Sequence, residues 1–202
     1  MRKIALLLTT FFLPVFTAQA ELCPSNGIDI PESTPTSQFK VVDEAGQENF
    51  GTGQLVIDKK TGLMWDRCQW GRAWNPGTLK CEININHSGS YTPNWKEAIS
   101  IVKDDISEAS PYLGKSDWRL PNIKELASIV ERKCFAPSIN DEVFRSTDAA
   151  IFWSNTHVAG SLTMRVVNFG NGLVAGSEIE PPEPPSGYHT YLRLVRDVLP
   201  GE

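Results

Sequence analysis

Four cysteines, Cys23, Cys68, Cys81 and Cys134, constrain the fold of this chain more than any other feature, provided they reach a compartment where they can oxidise. The chain begins MRKIALLLTTFFLPVFTAQAEL: a basic tip at Arg2 and Lys3, an apolar run from Ile4 to Phe16, then Ala18 and Ala20 in A-x-A spacing. That is the pattern of an export signal, and it predicts cleavage after Ala20 and a periplasmic or secreted product. The run is shorter than the roughly 20 apolar residues that span a bilayer, and it holds Pro14. Glu21 and Leu22, rather than small residues, precede Cys23, which argues against a lipid anchor. In an oxidising compartment an even cysteine count reads as two disulfides, with three possible pairings. Cys68 with Cys81 is the sequence-local choice and leaves Cys23 with Cys134. Closing the shorter loop stabilises a fold by about 3 kcal/mol in the chain-entropy model. The alternative use of cysteine is a metal site, but the chain has no C-x-x-C pair, and His87, His157 and His189 are scattered.

Without residues 1–20 the chain carries 17 basic and 24 acidic residues, a net charge of −7 against −5 for the whole. That sign disfavours nucleic acid and anionic membrane surfaces as general partners, since both require a positive footprint. No later segment is long and apolar enough to span a membrane. With 41% hydrophobic and 21% charged residues the chain reads as one ordinary globular domain, over residues 39–199, behind an extended arm at 21–38.

Along that domain, QLVIDKKTGLMW predicts a β-hairpin about the turn Lys59-Lys60-Thr61-Gly62. Residues 68–90 are rich in turn formers and read as a disulfide-braced surface loop. A helix is predicted next, with Thr92 as N-cap and Pro93 at the first helical position. Trp95, Ala98, Ile99, Val102 and Ile106 form its apolar face, and Asp104, Asp105 and Glu108 its solvated one. A second helix begins in SDWRLPNIKEL, where Asn122 and Glu125 have the spacing of a capping box and Ile123, Leu126, Ala127 and Val130 give the stripe. AIFWSNT, LTMRVVNFG and YHTYLRLVRDV then predict antiparallel strands, with a tight turn at Gly170-Asn171-Gly172 and a stiff proline-rich loop at 178–187. Hairpin, two helices and a run of strands make an α+β pattern.

Six segments in this order, TGLMWDRC, DWRLPNIKEL, INDEVF, FWSNT, VNFGNG and LRLVR, resemble the Lcl C-terminal-domain family, a bacterial exported family catalogued as a domain of unknown function. The resemblance covers roughly residues 39–197. It implies a C-type-lectin-like fold: two helices on a small twisted antiparallel sheet whose first and last strands lie near each other. The namesake domain belongs to a collagen-like adhesin that binds sulfated polysaccharides. A ligand does not transfer with a fold, and an acidic chain without a dense basic run is a poor generic partner for a polyanion.

The sequence shows no G-x-S-x-G, no H-E-x-x-H and no P-loop, so no catalytic residue and no cofactor is assigned. The fold is shared with formylglycine-generating enzymes, but their reactive-cysteine chemistry finds no support in this cysteine spacing. WSNT and EPPEPP only loosely echo the calcium motifs of C-type lectins, and the six to eight oxygen ligands that calcium takes are not displayed locally, so no metal is expected. Trp65, Trp95, Trp118 and Trp153 sit in apolar patterns and read as core. Trp70 and Trp74 lie in the turn-rich loop, where exposed rings could stack on a sugar or on a protein partner; the rival reading packs them down over the domain edge. Arg193 and Arg196 are expected on opposite faces of a strand, and either of them, or Arg119, can pair with Asp117 or Glu125 through a bidentate fork. The reading is a non-catalytic binding or adhesion module with a carbohydrate ligand. A structural or assembly subunit that binds another envelope protein is the main alternative, and an enzyme the third.

Overall fold

The computed structural model describes residues 23, 30–84, 92–179 and 189–199. The export signal and its cleavage site, His87 and most of the proline-rich loop lie outside the described residues.

Among the described residues three sheets carry the fold. The first contains β1 (Phe39–Val42), β2 (Leu55–Asp58), β3 (Leu63–Asp66) and β10 (Val195–Asp197) in that order, all antiparallel. The predicted hairpin is β2–β3, with Leu55 opposite Asp66 and Asp58 opposite Leu63. The first and last strands therefore share a sheet but occupy opposite edges of it. The second sheet is a hairpin of β4 (Arg72–Asn75) and β5 (Lys80–Ile83), so the segment expected as a plain loop is partly ordered as strands. The third has the order β8-β7-β6-β9, from β6 (Ile151–His157), β7 (Thr163–Asn168), β8 (Leu173–Glu178) and β9 (Thr190–Tyr191). Its β6–β9 pair is parallel, against the all-antiparallel expectation. The proline-rich segment starts later than expected, since Glu178 ends β8.

Strand alternation divides the interior in two. Phe39, Val41, Val56, Leu63 and Trp65 enter one core cluster, with Leu126, Phe144, Phe152 and Phe169. Val42, Leu55 and Met64, the intervening residues, enter a second cluster, with Ala98, Trp118, Trp153 and Leu194. The first sheet is thus covered on both faces, which is why β3 is buried at every position.

The helices are short. Helix α1 (Trp95–Ser100) is capped by Asn94, not by Thr92: the Asn94 side chain accepts from the Glu97 amide, and Glu97 accepts from the Asn94 amide. Pro93 lies outside the helix, and its carbonyl accepts instead from Trp153 Nε1 at 2.8 Å and from Thr190 Oγ1 at 2.9 Å. A π turn over Ile101–Asp105 follows. Ile101 and Ile106 are buried there, and Val102, predicted inward, is partly buried against the second cluster. Helix α2 (Ile123–Ser128) has the predicted capping box, with Asn122 accepting from Lys124 and Glu125 and Glu125 accepting from the Asn122 amide.

Both disulfides are closed, Cys68–Cys81 and Cys23–Cys134. Among the described residues no helix is long and apolar enough to cross a membrane. The arm is held by more than Cys23. The buried Glu131 carboxylate accepts from the amide and hydroxyl of Ser33, the amide and hydroxyl of Thr34, and the Lys133 amide. Asn140 donates to the Thr34 carbonyl and to Thr36 Oγ1.

Burial works to raise the Glu131 carboxyl, but the amide and hydroxyl donors outweigh it and hold it below its ordinary 4.5. A depressed carboxyl stabilises the fold above its unfolded value and ceases to do so as pH falls through its folded value. Glu131→Gln is therefore expected to cost about 2 kcal/mol at neutral pH, and the deficit to shrink as pH falls below 4.5, read by chemical denaturation at both pH values.

Candidate functional site

The stretch Ser116–Leu126 and the final strand meet at one corner of the first sheet. Arg119 exchanges backbone bonds with Val195, at 2.9 and 3.0 Å, which seats the stretch on the edge of β10. Its guanidinium forks onto Glu125 at 2.8 and 3.0 Å and reaches Asp197 at 3.2 Å. These hydrogen bonds keep Glu125 ionised against its partial burial and raise Arg119. Asp117 takes the other arginine: Arg196, nearly fully buried, donates Nε to its carboxylate at 2.7 Å. The expected arginine–carboxylate network is thus real, with Arg119 on Glu125 and Arg196 on Asp117. Trp118 is buried beside it and donates Nε1 to the Tyr112 carbonyl at 2.7 Å.

Arg193 is not on a strand. It falls between β9 and β10, where the chain leaves the third sheet for the first, so the expected opposite-face arrangement with Arg196 does not hold; both side chains are buried. Arg193 donates to the carbonyls of Asp66 and Arg67 and to Thr147 Oγ1. Its guanidinium lies 5.0 Å from the centre of the Phe144 ring. Nearby, the buried Asp66 carboxylate accepts from the Cys68 amide at 3.0 Å and from Tyr112 Oη at 2.9 Å. Burial raises the Asp66 carboxyl to about 7, against the opposing pull of Arg193. Burial likewise lowers Arg193 and Arg67 to about 10. Sequence reasoning missed Asp66 and Arg67; the usable signal was a charged pair wedged between the apolar LMW and a cysteine.

The tryptophans proposed for ligand stacking are not available for it. Trp70 is 4% exposed and Trp74 6% exposed. Trp70 packs on Tyr112, ring centres 5.1 Å apart. The Arg67 guanidinium covers Trp74 at 3.5 Å from its ring centre, and Trp74 Nε1 donates to the Gly51 carbonyl at 2.7 Å. The disulfide folds the β4–β5 hairpin back on the domain, so Trp74 packs with Cys68 and Cys81. Trp65, Trp118 and Trp153 are core as expected, and Trp95 is partly buried against the same cluster.

Two recesses open to solvent among the described residues: one of about 320 Å³ along the β4–β5 hairpin, which the edge of Trp74 borders, and a cleft of about 550 Å³ beside the signature stretch. Lys115, Ser116, Asp117 and the buried Arg196 line it, with Glu108 and the apolar Pro111 and Leu199 at its walls. The Asp117 side chain is 47% exposed and is aimed by Arg196, so one carboxylate edge is fixed while the rest faces the cleft. The lining offers fixed acceptors beside an ammonium donor, the complement of a ligand rich in hydroxyl groups.

No curated protein matches the chain. The family model of the Lcl C-terminal domain matches residues 54–196, and the chain belongs to that family. Strand β1 precedes the matched segment but is hydrogen-bonded into the same sheet.

Two measurements follow from this geometry. Trp74→Ala is expected to destabilise the fold by about 3–5 kcal/mol, the cost of emptying a packed aromatic site, seen as a lower denaturation midpoint. For Asp66 the folded carboxyl holds its proton more tightly than the unfolded one, so its contribution is greatest below the ordinary 3.8 and is lost as pH rises to about 7. Asp66→Asn should match the wild type near pH 4 and exceed it in melting temperature near pH 7 by about 5 °C.

Proposed function

We propose that this member of the Lcl C-terminal domain family is a non-catalytic binding and adhesion module of an extracytoplasmic compartment, with a C-type-lectin-like fold, that holds a carbohydrate in the cleft beside Asp117. Two short helices packed with small sheets and two disulfides support the fold reading. The disulfides fit a chain that matures in an oxidising compartment.

The observation that carries the reading is the Asp117–Arg196 pair. A nearly buried arginine orients a half-exposed carboxylate in a recess that also holds Lys115. Neighbouring sugar hydroxyls can donate to such a carboxylate and accept from the ammonium, and pre-orientation lowers the entropy cost of binding. Glu108 and Asp117 together with the net charge of −5 select neutral or amino sugars over sulfated ones. The second reading, an assembly subunit for another envelope protein, draws on apolar side chains left exposed outside the cleft lining, Leu162 and Leu173 among them.

A glycan array spanning neutral, amino and sulfated sugars tests the proposal. Saturable binding to the first two classes is expected, weakened at least about tenfold by Lys115→Ala, with the melting temperature read alongside to separate loss of a ligand contact from loss of fold. Binding confined to sulfated sugars, or no glycan binding alongside saturable capture of one envelope protein, would replace it.

A further inference from the structure

Among the described residues, most strand edges of this molecule are closed or guarded. The outer edge of β10 is taken by the backbone of Arg119. The loop after β1 folds back on that strand, bridging Glu48 to Val42 and bringing the Asn49 amide to the Val41 carbonyl at 2.9 Å. Strand β9 is two residues long, and the β4–β5 hairpin carries Arg72, Lys80 and Glu82. Strand β8 differs from all of these. It is the outermost strand of the third sheet, six residues in unbroken register with β7, and the described residues place nothing on its other side. Its sequence LVAGSE has no Lys, Arg or Pro and no bulge, the devices by which edges are normally blunted. Both of its faces are open, with Leu173 63% and Val174 48% exposed.

We propose that β8 is a self-association edge, at which two copies of the chain join β8 to β8 antiparallel about a two-fold axis through Ala175. The strand's own chemistry selects a second copy. Opposite residues of an antiparallel pair lie on the same face, so a two-fold register must be centred on a residue. Centring on Ala175 sets Leu173 opposite Ser177 and Val174 opposite Gly176, each large side chain against a small one. Glu178, the strand's single charge, then faces Gly172 at the end of the ladder. The two Glu178 carboxylates stand about 20 Å apart, well beyond the screening length at physiological salt. A parallel pairing would stack Glu178 on Glu178, and centring on Gly176 would set it against Val174. In a chain of net charge −5 this locally near-neutral edge is a place where two copies can approach. The contact is isologous and closes at two, sealing both edges. One strand pair is a small interface, so the dimer is weak and concentration-dependent. The inference is independent of the cleft.

Sedimentation velocity on the oxidised chain from about 1 μM to 1 mM tests it, the range appropriate to a small interface. A reversible monomer–dimer equilibrium is expected. Ala175→Lys sets two ammonium groups against each other on the axis and should weaken the dimer at least about tenfold with little change in melting temperature, since position 175 is exposed. Leu162→Lys, 80% exposed but outside β8, should leave the equilibrium unchanged. Ala175→Cys should cross-link to itself under oxidation, and Val174→Cys should not. A wild-type chain that stays monomeric throughout, an Ala175→Lys dimer as strong as the wild type, or equal loss in Leu162→Lys would overturn the proposal.

Discussion

The fold turns on a strand that changes sheets. Between Tyr191 and Val195 the chain leaves the third sheet and enters the first, and a segment in transit exposes backbone groups that no ladder satisfies. The neighbouring chain supplies the partners: the Trp70 amide donates to the Leu192 carbonyl and the Asp66 amide to the Leu194 carbonyl. Arg193 does the converse, filling the crossing with a guanidinium that bonds the carbonyls of Asp66 and Arg67. A buried guanidinium costs several kcal/mol in lost hydration, and losing a partner there costs about 3–5 kcal/mol more. The crossing therefore tolerates little change, and the end of β3, the first disulfide and the loop at Thr147 are all fixed by the same group.

Seen from that crossing, the six family segments divide the work of holding the fold. TGLMWDRC supplies the central strand and the carbonyls that Arg193 grips. DWRLPNIKEL caps α2 and pairs both of its neighbouring arginines. In INDEVF, Asn140 fastens the arm through Thr34 and Thr36, and Phe144 lies under Arg193. FWSNT docks on the start of α2, with the Asn155 amide on the Pro121 carbonyl and Thr156 accepting from the Ile123 amide. VNFGNG turns at Gly172, whose φ of +72° strains an L side chain and where an added Cβ would crowd Val130 Cγ1 at 3.0 Å. A signature of this kind reports a shared scaffold more than a shared ligand. Among the described signature charges, Asp117 and Arg196 border the cleft, and for that reason the functional reading rests on them.

The cleft draws on signature residues, Asp117 and Arg196, whereas β8 follows the last residue of VNFGNG. The cleft lies at the β10 corner, whereas β8 is the outer strand of the third sheet, so the two proposals rest on different residues.

Local signals were legible in the sequence by itself because their causes are local. The hairpin follows from two apolar runs about a turn, the α2 cap from an Asn and a Glu three residues apart, and the Gly170–Gly172 turn from its glycines. The cysteine count gave two bridges and the ordered motifs gave the family. The sequence could not place Trp70 and Trp74, since whether a loop ring is exposed depends on how a disulfide folds its hairpin back over distant residues. Nor could it show that YHTYLRLVRDV is broken in two, because the break is set by the competing demands of two sheets rather than by any breaker residue. The choice of Asn94 over Thr92 as the α1 cap was likewise decided by Pro93, whose carbonyl is drawn away to Trp153 and Thr190. Pairings between residues far apart in the chain, Asp66 with Tyr112 and Arg196 with Asp117, exist only once the sheets have brought them together, and the candidate site is made of such pairings.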